Sequence, residues 1–128
     1  MTKPSRWARA HAANLTDRIT VSARRGGGGH GPSFAQPVTV LGFAKASRTL
    51  TVGEDGEEAA GQTVLRLPPV LVPVDEHGDP VADAAEVAAL DLFALGSEVT
   101  ALGRTGHVVA VAGVTFRGRL ERVDVTAS

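Results

Sequence analysis

The segments EVTAL (98–102), GRTG (103–106), HVVAVAG (107–113) and GRLERVDVT (118–126) decide the fold of this chain. In the last of them, Leu120, Val123 and Val125 are separated by charged residues. Apolar and polar residues that alternate along a segment indicate a strand with one face on a core and the other in water. Several such strands with glycine-containing turns predict an all-β fold, a small antiparallel β-barrel or sandwich. Its core is expected to contain Val109, Val111 and Val114.

Earlier segments of the chain supply the remaining strands of this sheet. Apolar residues recur at short intervals in four segments, which are Leu15–Arg24, Gln36–Lys45, Arg48–Val52 and Gly61–Leu67. Gly42 falls inside the second of these, and glycine within a strand is typical of the bulge or bend that closes a small barrel. We therefore predict one β-barrel domain over residues 15–128.

The composition limits what the core can contain. The chain has 128 residues, 43% hydrophobic but only 4% aromatic, and no tyrosine. This length corresponds to one domain with a single core. The core must be built from Val, Leu and Ala, and its expected large side chains are Phe34, Phe43, Phe93 and Phe116.

A Pro- and Ala-rich insertion at residues 68–97 interrupts the strand pattern. Its prolines cannot donate to a continuous strand ladder. Asp79 and Pro80 have the character of a helix N-cap and first helical residue, and Gly96 has that of a C-terminal stop. Apolar residues at helical spacing between them predict one short inserted helix at about residues 80–95.

Charge is distributed unevenly, although the formal net charge is only −1. Residues 1–25 hold six basic side chains and one acid, whereas residues 53–98 hold eleven acids and one arginine. Residues 1–14 form a basic N-terminal arm that contains Trp7, the only tryptophan. This arm is either frayed or a short amphipathic segment that orders against a partner through Trp7.

Several classes of function find no support in the sequence. The chain has no cysteine, so disulfides, thiolate metal sites and cysteine nucleophiles are excluded. Neither a secretory signal nor a membrane-spanning segment is recognisable, and we expect a soluble protein made inside the cell. The four histidines lack metal-ligand spacing, and the serines lack a nucleophile-elbow context. We therefore predict no enzyme, no catalytic residue, no metal site and no cofactor.

Two loops invite a ligand-binding interpretation that their details do not support. The glycine-rich loop over Arg25–Ser33 lacks the Lys-Ser or Lys-Thr that closes a phosphate-binding loop. The turn Gly53–Glu58 carries four carboxylates, but neither its spacing nor its flanks match an EF-hand. A mobile hairpin loop and a solvated hairpin tip are the expected structures.

The order of short motifs resembles the small head-to-tail stopper (head-closure, or head–tail joining) proteins of long-tailed bacteriophages. The resemblance runs from about Leu15 to Thr126, and no single piece is specific. In order, the pieces are Ile19–Val21, a glycine-rich loop, Gln36–Val40, Asp55–Glu57, Leu65–Pro68, Leu95–Thr100, His107–Val109 and Glu121–Val125. The segment Val70–Asp91 is longer than the connection expected there, and residues 1–14 have no counterpart.

The resemblance implies a structural role in the neck, or connector, of a virion assembled in the cytoplasm of a bacterial host. Such proteins form homo-oligomeric rings, usually of twelve or six copies, between the portal and adaptor rings and the tail. Their small β-barrels project loops into the channel and help retain packaged double-stranded DNA without sequence specificity. Carried over, the channel-facing loop is Glu54, Asp55, Gly56, Glu57 and Glu58, although a position outside the ring is an equal alternative.

The same resemblance implies docking elements that meet the adaptor above or the tail terminator and tail tube proteins below. The candidates are the glycine loop with its flanks and the basic arm. The residues concerned are Trp7, Arg24, Arg25, His30 and Phe34.

Two other functions remain open from the sequence. Another neck or tail ring protein, such as a tail terminator, would also assemble into a ring. A stand-alone nucleic-acid-binding β-barrel could use the basic arm to neutralise phosphates, although the chain has few aromatic side chains for stacking bases.

Overall fold

The computed structural model describes residues 3–28, 31–53 and 56–128, with side chains except at 26–28, 31–33, 47–53 and 56–60. These residues contain two short α-helices, α1 (Arg6–Ala10) and α2 (Ala89–Leu92), and a 3-10 helix at Ala12–Asn14. The strands are β1 (Asp17–Ser22), β2 (Arg24–Gly28), β3 (Gly31–Phe34), β4 (Val38–Gly53), β5 (Gly56–Leu67), β6 (Val70–Leu71), β7 (Val87–Ala88), β8 (Glu98–Ala101), β9 (Arg104–Phe116) and β10 (Arg119–Ala127).

Six antiparallel strands form a closed barrel in the order β1-β4-β5-β10-β9-β8, which returns to β1. The strands β2 and β3 form a separate hairpin, and β6 and β7 form a second small sheet. The prediction of a small all-β barrel with a short inserted helix is therefore confirmed.

The long strand β4 changes partner in its middle, and two residues make the change possible. It pairs with β1 up to Gly42, opposite Asp17, and with β5 from Phe43 onwards. A Cβ atom at Gly42 would lie 2.6 Å from Leu67 Cδ2 and 2.9 Å from Ile19 Cδ1, so only glycine fits without repacking. Asp17, which interrupts the apolar pattern of β1, accepts a hydrogen bond from Ala44 N at 2.9 Å. The segments Gln36–Lys45 and Arg48–Val52, predicted as two strands, are one.

Two tight turns give the C-terminal strands their register. Ala101 pairs with Arg104, and Phe116 pairs with Arg119, so each loop has two residues. Both residues of each loop have positive φ. The values are 53° and 73° for Leu102 and Gly103, and 52° and 75° for Arg117 and Gly118. Such turns match the right-handed twist of the strands that they connect.

The burial of side chains agrees with the alternating apolar pattern in most strands and differs from the predicted pattern in β9. The side chains of Ile19, Val21, Leu65, Leu67, Val123 and Val125 are fully buried. In β9, however, Val108 is buried at 3% exposure whereas Val109, predicted in the core, is 52% exposed. The register between β9 and β10 shifts there, since Ala127 pairs with Val108 and Thr126 with Ala110, and this irregularity changes the face on which each residue lies. Val111 and Val114 are only half-buried.

Aromatic residues contribute less to the core than the sequence suggests. Phe93, next to α2, is fully buried, but Phe34 is 38% and Phe116 52% exposed. Phe43 is half-buried beside Arg66. The largest side chains are therefore partly available at the surface.

The inserted helix is shorter than the sequence predicts. It covers one turn, Ala89–Leu92, within the predicted span of residues 80–95. Upstream of it, Val70–Leu71 pairs with Val87–Ala88, and Val74 forms a bridge with Pro80. These backbone bonds replace helical ones, because the alanines of this segment bury too little area to favour a helix. Gly96 does adopt the left-handed conformation expected of it, with φ 85°.

Candidate interaction surfaces

The β2–β3 hairpin leaves the barrel at the end of β1 and is attached by its base. Ala35 N donates to Ala23 O at 2.8 Å, and Arg24 N donates to the buried hydroxyl Oγ of Ser97 at 3.0 Å. The guanidinium of Arg24 lies against Gly96, where a Cβ would approach its Nη1 to 2.7 Å. The hairpin is thereby held against the start of β8.

The predicted docking residues of this hairpin lie at its exposed base. The side chains of Arg24 and Arg25 are exposed, and the ring of Phe34 lies 6.1 Å from that of His107 in β9. His30, the fourth predicted docking residue in this part, lies outside the described residues. The hairpin base thus presents cations and an aromatic ring beside β9, and docking through them stays a prediction.

The basic N-terminal arm contains α1 and packs on β10 of its own chain. Ser5 caps the helix by accepting from Ala8 N at 3.1 Å, and its hydroxyl donates to Glu121 O at 2.8 Å. The Glu121 carboxylate in turn accepts from Trp7 N at 3.0 Å. Two backbone N–H groups that the start of a helix leaves unpaired are therefore satisfied, one of them across the interface.

Trp7 packs against residues of its own chain, so it has a structural role in addition to the predicted docking role. Its ring stacks on His11 at 5.0 Å between centroids, and the Arg122 guanidinium carbon lies 5.7 Å from the ring centroid. Arg122 also forms a two-pronged ion pair with Asp124, at 2.8 and 3.1 Å. Trp7 remains partly exposed, so the arm still has an accessible aromatic surface.

A basic groove of about 650 Å³ lies between the arm and the β9–β10 turn. Its walls combine cations from these two parts of the chain with apolar residues of the β5–β6 connection and two carboxylates. The lining cations are Lys3, Arg6, Arg9, Arg117 and Arg119, and the acids are Glu86 and Glu121. Such an excess of positive charge attracts acidic segments or phosphates.

The predicted channel-facing loop lies at the end of the longest hairpin. Glu54 and Asp55 are outside the described residues, and Gly56, Glu57 and Glu58 begin β5, their side chains not described. Among the described strands, residues 47–53 of β4 pair only with residues 56–62 of β5, since pairing with β1 stops at Gly42 and pairing with β10 stops at Thr63. We call this two-stranded part the ribbon. Its seven residues per strand span about 23 Å, and at its base Gly61 lies against the guanidinium of Arg104 in β9.

One side of β9 carries an unpaired strand edge. The strand β8 pairs with Arg104–His107 only, and Val108 then exchanges backbone bonds with Gly96 and Ser97 at 2.9 Å. From Val109 to Phe116, no other strand of the described chain pairs with β9 on the side away from β10. This stretch, the β9 edge, contains no charged residue and no proline.

The described residues contain no group of three or more His, Cys, Asp or Glu side chains that could hold a metal ion. Of the serines considered from the sequence, Ser97 is buried and its hydroxyl is used by Arg24 N. No helix in the described part of the chain is long and apolar enough to cross a bilayer.

No protein-family model, no curated protein and no solved structure matches the chain.

Sequence reasoning did not find the basic groove or the β9 edge. The groove joins residues more than a hundred positions apart, and this proximity depends on the packing of α1 on β10. The edge was visible as an uncharged run from Val108 to Phe116, but the sequence does not show where β8 stops covering it.

Proposed function

We propose that the chain is a structural, non-enzymatic ring component of a bacteriophage neck, a head-to-tail stopper between the portal and adaptor rings and the tail. Copies of the barrel would surround the channel through which packaged DNA leaves the head. The ring would join head to tail and help retain the genome.

The ribbon is the observation that carries this proposal. It extends beyond a small closed barrel, and the sequence at its end contains Glu54, Asp55, Glu57 and Glu58. Repeated around a ring, these carboxylates would repel DNA phosphates across the channel. A closed barrel supplies the rigid wall from which such a ribbon can project.

Neutralising the ribbon tip tests this role. The variant combines Glu54→Gln, Asp55→Asn, Glu57→Gln and Glu58→Gln, which keep the size of the side chains and remove their charge. We expect heads assembled with it to lose packaged DNA, because the repulsion between the ribbon tip and the DNA phosphates is removed. Genome retention is measured as nuclease-resistant DNA per particle.

The matched control removes the same number of charges elsewhere. The four exposed acids Glu76, Asp79, Asp83 and Asp91 are changed to their amides, and these heads should retain DNA normally. Equal retention by both variants would count against a channel-facing tip.

A free-standing nucleic-acid-binding module is the second candidate, and the basic groove favours it. Five cations around one groove could neutralise several phosphates, and such binding weakens steeply with salt. Mass photometry of the purified chain with short duplex DNA at two salt concentrations separates the two functions. A monomer that binds DNA in a salt-sensitive way would support the module, whereas a chain indifferent to free DNA would support the stopper.

A further inference from the structure

The β9 edge has the features that natural proteins avoid on a free surface. Unpaired N–H and C=O groups along an uncharged, apolar strand are a template for pairing with another chain. Natural edge strands are protected by lysine, proline or a covering segment. None of these protects the stretch from Val109 to Phe116 in the described structure, and the other common device, a β-bulge within the strand, occurs only at its first residue, where the register shifts beside Val109.

Exposure along this stretch shows that the side chains as well as the backbone are available. Val109 and Phe116 are each 52% exposed, and Ala110, Ala112 and Thr115 are exposed too. An added strand would therefore find both hydrogen-bonding groups and apolar contacts there, which are the two sources of affinity in strand addition.

The same chain contains a complementary element. The ribbon strands pair only with each other, so each has one unpaired edge, and a two-stranded ribbon is marginally stable by itself. Of its two strands, β4 is the better partner for an apolar edge. Its segment Arg48–Val52 contains two threonines and a valine, which favour strands, whereas the β5 segment contains Glu57 and Glu58.

We propose that the β9 edge of one copy pairs with the free edge of ribbon strand β4 in a second copy. The two contacting surfaces differ, so the contact is heterologous and can continue from copy to copy until a ring closes. Only the expectation that the paired copies close into a ring rests on the proposed function. The pairing itself does not depend on phage assembly and is measured on the purified chain.

A charge on the β9 edge tests the pairing. We expect the wild-type chain to associate increasingly across a concentration series in sedimentation or mass photometry. Val109→Lys should weaken this association at least tenfold, because a charge would have to enter an apolar strand contact. Val81→Lys is the matched control, since Val81 is 43% exposed and lies away from the edge.

Both lysine variants should keep the wild-type melting temperature at concentrations where the wild-type chain is monomeric, which separates assembly from folding. Association of Val109→Lys like wild type, or a wild-type chain that stays monomeric at every concentration, would overturn the inference.

Disulfide trapping identifies the paired strands, and the absence of native cysteine makes it specific. Single-cysteine variants at Ala110 or Ala112 are mixed with single-cysteine variants at each position from Thr49 to Val52 and oxidised. We expect covalent dimers in at least one mixture and none in either partner alone. Dimers of Ala112→Cys with itself would show β9–β9 pairing and contradict the assignment to β4.

The two proposals fail differently in these experiments. Trapped β9–β4 dimers that grow into open filaments would contradict the stopper ring and leave the strand pairing standing. Closed rings formed equally well by Val109→Lys would support a ring protein and contradict pairing through the β9 edge.

Discussion

The two strands of the β9–β10 hairpin extend from the barrel together, but their outer edges differ. The edge of β10 is covered by the N-terminal arm, and the edge of β9 is not paired. β10 pairs with β5 only from Val123 onwards, because Leu67, the partner of Val123, is followed by Pro68 and Pro69, and α1 bonds to Glu121 in the part of β10 before Val123. β9 loses its partner β8 after His107, and beyond Val108 no other strand of the described residues pairs with this side of β9. One edge is protected by the chain itself, and the other is left for a partner.

This difference separates intramolecular stability from assembly. The covered edge uses hydroxyl, carboxylate and backbone bonds within one copy, so it should report on folding. The open edge contributes apolar surface and unpaired backbone, so it should report on association. Substitutions on the two edges are therefore expected to affect different measurements.

The largest expected effect sharpens the boundary of the open edge within β9. Val108→Thr should lower the free energy of unfolding by about 2 kcal/mol, because it places a hydroxyl at a site only 3% exposed. Val109→Thr should change it by less than about 0.5 kcal/mol, because that side chain is 52% exposed and threonine keeps the β-branched shape. Urea denaturation of both variants measures the difference, and equal losses would show that the edge does not begin at Val109.

A smaller effect concerns the cover on β10. Ser5→Ala removes the N-cap of α1 and the hydroxyl that bonds to Glu121 O, and should cost about 1 kcal/mol in unfolding free energy. Ser5→Thr keeps the hydroxyl and serves as the control, with little loss. Wild-type stability of the alanine variant would mean that the arm does not protect this edge.

The smallest effect tests the ion pair beneath Trp7. Arg122→Lys loses the forked contact with Asp124 and the stacking on Trp7, and should cost about 0.5 kcal/mol. The same exchange at exposed Arg119 should be neutral in chemical denaturation. A neutral Arg122→Lys would assign the attachment of the arm to Ser5 and Glu121 alone.

Much of the fold was predictable because it follows local rules. Alternation in β10 identified Val123 and Val125 as inward residues, and Gly42 marked the bend at which β4 changes partner. The prediction that Val109 lies in the core was wrong. A shift in the register between β9 and β10 places Val108 on the inner face and Val109 on the outer face, and the sequence carries no local signal of this shift. The predicted length of α2 was also too great, because the helical spacing of the alanines does not outweigh the backbone pairing of Val70–Leu71 with Val87–Ala88.

The interaction surfaces were less predictable, because they depend on which strand ends first. The composition of Val108–Phe116 indicates an apolar strand, but a central strand and an open edge have the same composition. The grouping of Arg6 and Arg117 around one groove likewise depends on where the arm packs. Long-range proximity of this kind is absent from spacing and periodicity.

Hydrogen–deuterium exchange of the wild-type chain, compared between dilute and assembled samples, tests the open edge most directly. We expect those amides of Val109–Phe116 that do not bond to β10 to exchange rapidly in the monomer, and to slow in the assembly together with the amides of Arg48–Val52 that do not bond to β5. The amides around Glu121 should be equally protected in both samples. Equal exchange of Val109–Phe116 before and after assembly would contradict the assignment of β9 as the strand that joins one copy to the next.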